Sequence, residues 1–113
     1  IDARPLARFT GDAPEPRPGL RAGHIPGARN VPFGDVLNPD GTMKSTADLR
    51  AVFQAAGVDL TKPAITTCGS GVTAAILSLA LERIGHKSHA LYDGSWAGWG
   101  MYDDLSVEKG PAR

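Results

Sequence analysis

The chain has 113 residues, the size of one domain around one hydrophobic core, so a second full domain does not fit. Lys and Arg (12) balance Asp and Glu (12), which removes the global field that would draw the protein to nucleic acid or an anionic membrane. Its 14 glycines and 9 prolines stay short of low-complexity composition, and 42% hydrophobic residues support a folded core rich in turns.

The opening Ile1-Asp2-Ala3-Arg4 carries no initiator Met and no leader, and reads as the tail of a strand, so the chain is expected to be a fragment. Seven of the nine prolines fall within the first 45 residues, which are expected to be mostly ordered loop. Pro14-Glu15-Pro16-Arg17-Pro18 should run extended, because a residue before proline is pushed out of the helical region; Arg17 is thereby held on a stiff arm. Ser45-Thr46-Ala47-Asp48 has the form of a capping box, and Leu49, Val52, Phe53 and Ala56 follow at helical spacing, predicting a helix over 46–56 stopped by Gly57. Ala64-Ile65-Thr66-Thr67 is β-branched and predicts a strand ending at Cys68. The helix predicted over 72–84 has few polar residues and should be buried on most faces, with Gly85 ending it. The run Val72–Leu81 is too short for a membrane span. Ala90-Leu91-Tyr92 predicts the next strand, stopped by Asp93-Gly94-Ser95. Strands alternating with helices imply an α/β domain with a mostly parallel sheet and helices on both faces.

Cys68 is the single cysteine, so neither an internal disulfide nor a cysteine-rich zinc site is available. It implies a reducing compartment, with the cytoplasm expected, or a thiol used for chemistry. Cys68-Gly69-Ser70-Gly71-Val72-Thr73 joins a strand to a helix, where free N–H groups and the positive helix end gather around the loop. Glycines at 69 and 71 let those groups converge on one point, which favours the thiolate. A buried structural cysteine is the plainer alternative, and the glycine loop weighs against it. Gly69-Ser70-Gly71-Val72-Thr73-Ala74 also satisfies a relaxed dinucleotide fingerprint with Asp93 about 20 residues on, but too little chain follows to complete that fold. A Cys-x5-Arg phosphatase loop would need arginine where Ala74 stands, and a dithiol redox loop would need cysteine where Gly71 stands.

The loop Cys68 to Thr73, the segment Gly23-His24-Ile25-Pro26-Gly27-Ala28 and the ending Tyr92-Asp93-Gly94-Ser95-Trp96 resemble the catalytic domain of the rhodanese sulfurtransferases. The opening Asp2-Ala3-Arg4 through Arg8-Phe9-x-Gly11 and Pro14-Glu15-Pro16-Arg17 resembles more narrowly the C-terminal half of the members that use 3-mercaptopyruvate. Thiosulfate-specific relatives carry a basic pair where Gly69 and Ser70 stand. The resemblance implies one rhodanese-like domain over 1–113, preceded in the whole protein by an N-terminal rhodanese domain. It implies a Cys68 persulfide formed from 3-mercaptopyruvate and passed to a thiol, thioredoxin among the candidates, or to cyanide. Residues 69 to 73 would cradle the sulfur through their N–H groups, so Gly69, Gly71, Val72 and Thr73 join the substrate site. Arg8 and Arg17 would hold the donor's carboxylate and carbonyl, and Ser70 would belong to a hydroxyl relay whose His and Asp lie in the N-terminal domain. Thiosulfate as donor, and a non-catalytic module, are the alternatives. No cofactor, metal, nucleic acid or membrane is expected.

The remaining chemistry-bearing residues have plainer readings. His24, between glycine and proline turns, is expected to bond a loop carbonyl, and His86 and His89 flank a turn with no third ligand in sight. Asp93 should brace the loop after its strand, Trp96 and Trp99 should be core, and Asp103 and Asp104 should be exposed.

Overall fold

The computed structural model describes residues 1–113. Its central pairing is parallel: strand β1 (Ala64–Thr66) lies beside β2 (His89–Leu91) with Ile65 opposite Ala90. Parallel neighbours need a crossover, and helix α3 (Ala74–Arg83) supplies it. The sheet continues on the other side of β1 through single bridges, Asp2 pairing in parallel with both Thr67 and Asn30. The expected opening strand is therefore an interior one, its Ala3 N–H donating to Thr67 O at 2.8 Å and its Asp2 carbonyl accepting from Val31 at 2.9 Å.

Side chains alternate across this sheet, which assigns its two faces. Ala3 belongs to the main core with Val31, Val36, Leu49, Phe53, Leu77 and Leu81, where α3 and α2 (Thr46–Ala55) pack. Burying Leu77 and Leu81 this way contributes about 1.5–3 kcal/mol each. Asp2 and Arg4 point to the opposite face, where the Arg4 guanidinium lies 4.6 Å above the Trp96 ring and Phe9 stacks on His24 at 3.8 Å. Phe9 and Trp96 come from two five-residue helices, α1 (Leu6–Thr10) and α4 (Ser95–Trp99). Helices thus serve both faces, although Ile65 on the second face stays 62% exposed.

Several sequence expectations need correction. The helix at 46–56 ends one residue early, and its N-terminus is capped as expected, Asp48 N–H donating to Ser45 Oγ at 3.3 Å. The helix at 72–84 begins only at Ala74 and is not buried on most faces: Val72 is 74% exposed and Leu79 61%. Residues 72–73 are spent turning around the sulfur of Cys68. The second strand sits one residue earlier than expected, because the parallel register aligns Ala64 with His89. The proline-rich third is mostly loop, as expected, broken only by α1 and a 3-10 turn at Phe33–Val36. No helix is long and apolar enough to cross a membrane.

Candidate active site

Cys68 stands two residues beyond the end of β1 and is buried, 1% exposed, within the main core cluster. The chain then curls back so that the Gly71 N–H donates to Cys68 Sγ at 3.0 Å. That curl requires φ of +96° at Gly71, a region L side chains avoid, with Asp93 O only 3.0 Å from where a Cβ would stand. Asp93 lies against Gly71, but no hydrogen bond from it shows the bracing role expected of it. Thr73 occupies the N-cap position of α3, yet its hydroxyl caps nothing in the helix. It favours the Cys68 thiolate instead, together with the N–H groups of Ala74, Ser70 and Gly71, of which Gly71 makes the direct hydrogen bond. Burial pushes the thiol up, but the Thr73 hydroxyl and these three amides outweigh it, so Cys68 ionises below its ordinary range. Of the N–H groups expected from residues 69 to 73, only those of Ser70 and Gly71 act on the sulfur; Ala74 N–H joins them and Thr73 contributes its hydroxyl instead.

Gly69 has a different task. A Cβ there would lie 2.8 Å from Arg8 Nη2, so the missing side chain is what admits the guanidinium. Arg8 stands in the last turn of α1 and is gripped by Glu15, with Nε to Oε2 at 3.0 Å and Nη2 to Oε1 at 2.9 Å. The Glu15 hydrogen bond, against the opposing cost of burial, raises the Arg8 guanidinium above its ordinary value. Arg4 approaches the same carboxylate at 3.3 Å and is itself tied to Asp2 at 2.8 Å and to Gly23 O at 2.7 Å.

A cleft of about 310 Å³ opens over this arrangement. Arg8, Arg17, Gly69, Ser70, Val72 and Thr73 line it together, with Arg4 and Glu15 beside them. Arg17 is exposed on the proline arm as expected, and Ser70 is exposed on the wall. Neither Cys68 nor Gly71 lines the cleft, Cys68 being buried beside it.

Sequence reasoning missed the residues that hold the thiol from behind. Ser95 is the single non-glycine residue with positive φ, +49°, and is fully buried. Its hydroxyl accepts from Cys68 N–H at 3.1 Å and donates to Tyr92 O at 2.9 Å, leaving the sulfur 3.9 Å away with no proton to share. Trp96 and Ala97 N–H groups, free because they open α4, donate to the carbonyls of Cys68 and Gly69 at 2.8 and 2.9 Å. A left-handed serine in the Asp93-Gly94-Ser95 turn is a weak sequence signal, and the contact over 27 residues is none at all. His24 Nδ1 bonds Phe9 O at 2.8 Å, at the end of α1, as a structural histidine should. His89 Nε2 lies 3.2 Å from Glu82, Trp96 is core, Trp99 is half-buried, and Asp103 and Asp104 are exposed.

The model of the rhodanese-like domain matches residues 1–102. The chain belongs to the rhodanese family. This rhodanese domain is 53% identical over 108 residues to the 3-mercaptopyruvate sulfurtransferase of Escherichia coli (strain K12), covering 96% of the chain and 38% of that protein. It is also 49% identical over 100 residues to the thiosulfate sulfurtransferase of Bos taurus, covering 88% of the chain and 34% of that protein. The crystal structure of Tum1 from Saccharomyces cerevisiae superposes with a TM-score of 0.85 at 37% identity, over 96% of this chain and 38% of that one. The rhodanese domain therefore spans little more than a third of the curated relatives' length.

Proposed function

We propose that this rhodanese domain is the catalytic domain of a sulfurtransferase that takes sulfur from 3-mercaptopyruvate onto Cys68 and delivers it to a thiol or to cyanide. The observation that carries the reading is a thiol lowered in pKa by Thr73 and three loop amides beside a cleft lined by Arg8 and Arg17. The Cys68 thiolate would attack the donor's sulfur. The carbon–sulfur bond breaks, its electron pair goes to the methylene carbon as the enolate of pyruvate, and the thiol proton ends on that carbon. Cys68 is left as a persulfide whose outer sulfur the acceptor removes. The Gly71 amide, hydrogen-bonded to the sulfur at 3.0 Å, would hold negative charge there throughout, with the Ser70 and Ala74 amides also favouring the anion.

Arg17 and the side of Arg8 not engaged by Glu15 are the proposed holders of the donor's carboxylate and carbonyl, with Gly69, Val72 and Thr73 shaping the approach and Gly71 holding the sulfur. Ser70 is proposed as the near end of a hydroxyl relay completed by His and Asp from an N-terminal rhodanese domain. The share of the relatives' length that this chain covers supports such a second domain. A cytoplasmic setting and a thioredoxin-like dithiol acceptor suit one unpaired cysteine that must stay reduced.

Thiosulfate is the second donor to consider, on the identity to the Bos taurus enzyme. Against it stand Gly69 and Ser70, which place no cation beside the sulfur. Intact-mass spectrometry after incubation with each donor tests the reading: one added sulfur on Cys68 from 3-mercaptopyruvate is expected. Loading from thiosulfate alone would reassign the donor, and loading from neither would leave a non-catalytic module.

A further inference from the structure

We propose that Glu15 is a positioning and specificity-determining residue: its buried carboxylate cancels one of the charges facing the donor and so fits the cleft to a singly charged one. This rests on the sulfurtransferase reading above. Three arginines border the cleft, Arg4, Arg8 and Arg17, with the Arg4 side chain buried. Asp2 neutralises Arg4 at 2.8 Å, and Glu15 grips Arg8 with both oxygens at 2.9 and 3.0 Å. Arg17 alone is left as uncompensated charge, and an ionised Cys68 brings the whole site to neutral. A keto-acid thiol brings one negative charge; thiosulfate brings two.

The Glu15 side chain is 2% exposed, so water and salt screen it weakly. A glutamate on a surface loop would ordinarily be solvated, but Pro14 and Pro16 restrict its backbone and aim it inward between Arg4 and Arg8. The two-pronged contact also fixes the plane of the Arg8 guanidinium over Gly69 and leaves Nη1 outside the Glu15 grip. Glu15 thus governs both where Arg8 stands and how much positive field reaches the donor.

The test compares Glu15→Gln, which removes the charge and keeps the shape, with Glu15→Asp, which keeps the charge and withdraws it. The readout is the ratio of kcat/KM for thiosulfate to that for 3-mercaptopyruvate. Glu15→Gln should raise this ratio about fivefold or more, the scale of one extra unit charge at about 4 Å even in water. Glu15→Asp should lower both rates and leave the ratio unchanged. An unchanged ratio in Glu15→Gln, or the same rise in Glu15→Asp, overturns the proposal. A second readout needs no sulfur transfer: the rate at which Cys68 is alkylated by anionic iodoacetate relative to neutral iodoacetamide should also rise in Glu15→Gln. If the parent loads sulfur from neither donor, the sulfurtransferase reading has failed, and this alkylation ratio still decides the charge argument. Should Glu15→Gln not fold, Arg17→Gln must show the opposite shift, a lowered iodoacetate preference, and its absence would likewise overturn the proposal.

Discussion

The Gly71 N–H points at Cys68 Sγ across 3.0 Å, so the loop that shapes the site also stabilises its nucleophile. With burial opposing and the Thr73 hydroxyl and loop amides prevailing, the folded thiol ionises below the ordinary range of a free cysteine. Alkylation rate against pH should therefore show a lower midpoint for the folded than for the denatured chain. The linkage sign follows: a depressed acid adds stability that is full above the unfolded value and is lost as pH falls through the folded one. Relative to Cys68→Ala, the parent should gain melting temperature as pH rises through the lowered folded value towards that of a free thiol. A gain on acidification would refute the assignment.

Thr73 supplies the one side-chain hydroxyl among the groups that favour the thiolate. Thr73→Val keeps the shape and removes the donor; it should raise the alkylation midpoint and slow sulfur loading about tenfold, the worth of a charge-assisted hydrogen bond. Thr73→Ser should restore most of both. Equal alkylation profiles for all three would show that the amides alone set the ionisation.

Two glycines in the same loop should fail in different ways. At Gly69 the backbone accepts alanine, but the new Cβ would meet Arg8 Nη2 at 2.8 Å and push it off Glu15. Gly69→Ala should thus melt near the parent while kcat/KM falls about tenfold through a misplaced guanidinium. At Gly71, φ of +96° and Asp93 O at 3.0 Å make alanine strained and crowded. Gly71→Ala should cost stability, about 1–2 kcal/mol for the left-handed backbone alone. Similar melting curves for the two variants would contradict the distinction.

Arg17 is exposed and outside the Glu15 grip, so its removal should leave the fold intact. Arg17→Ala should lower kcat/KM for 3-mercaptopyruvate about ten- to a hundredfold, the loss of a charge-assisted hydrogen bond. A small sulfur donor without a carboxylate should load Cys68 at close to the parent rate. Lysine at 17 should recover part of the loss, since it keeps charge but not the planar fork. Equal losses with both donors would make Arg17 structural.

What could be read from the sequence was whatever lies within about a dozen residues along the chain. The Ser45 cap, the α2 periodicity, and the strand, glycine loop and helix around Cys68 are local patterns, and local sterics and hydrogen bonding determine them. The family, too, was legible from the motifs around Cys68, His24 and Tyr92. The five-residue helices α1 and α4 were not, because one turn and a half carries no periodicity to detect. Tertiary structure alone decided that Asp2, Arg4, Glu15 and Arg8 form one alternating chain of charge, and that Ser95, 27 residues away, bonds the Cys68 amide. A glutamate between prolines reads as solvated; only the sheet order that sets Asp2 between Asn30 and Thr67 brings Arg4 and α1 close enough to bury it. Which charges face the cleft is a property of that packing, since desolvation, not residue type, determines which ion pairs survive.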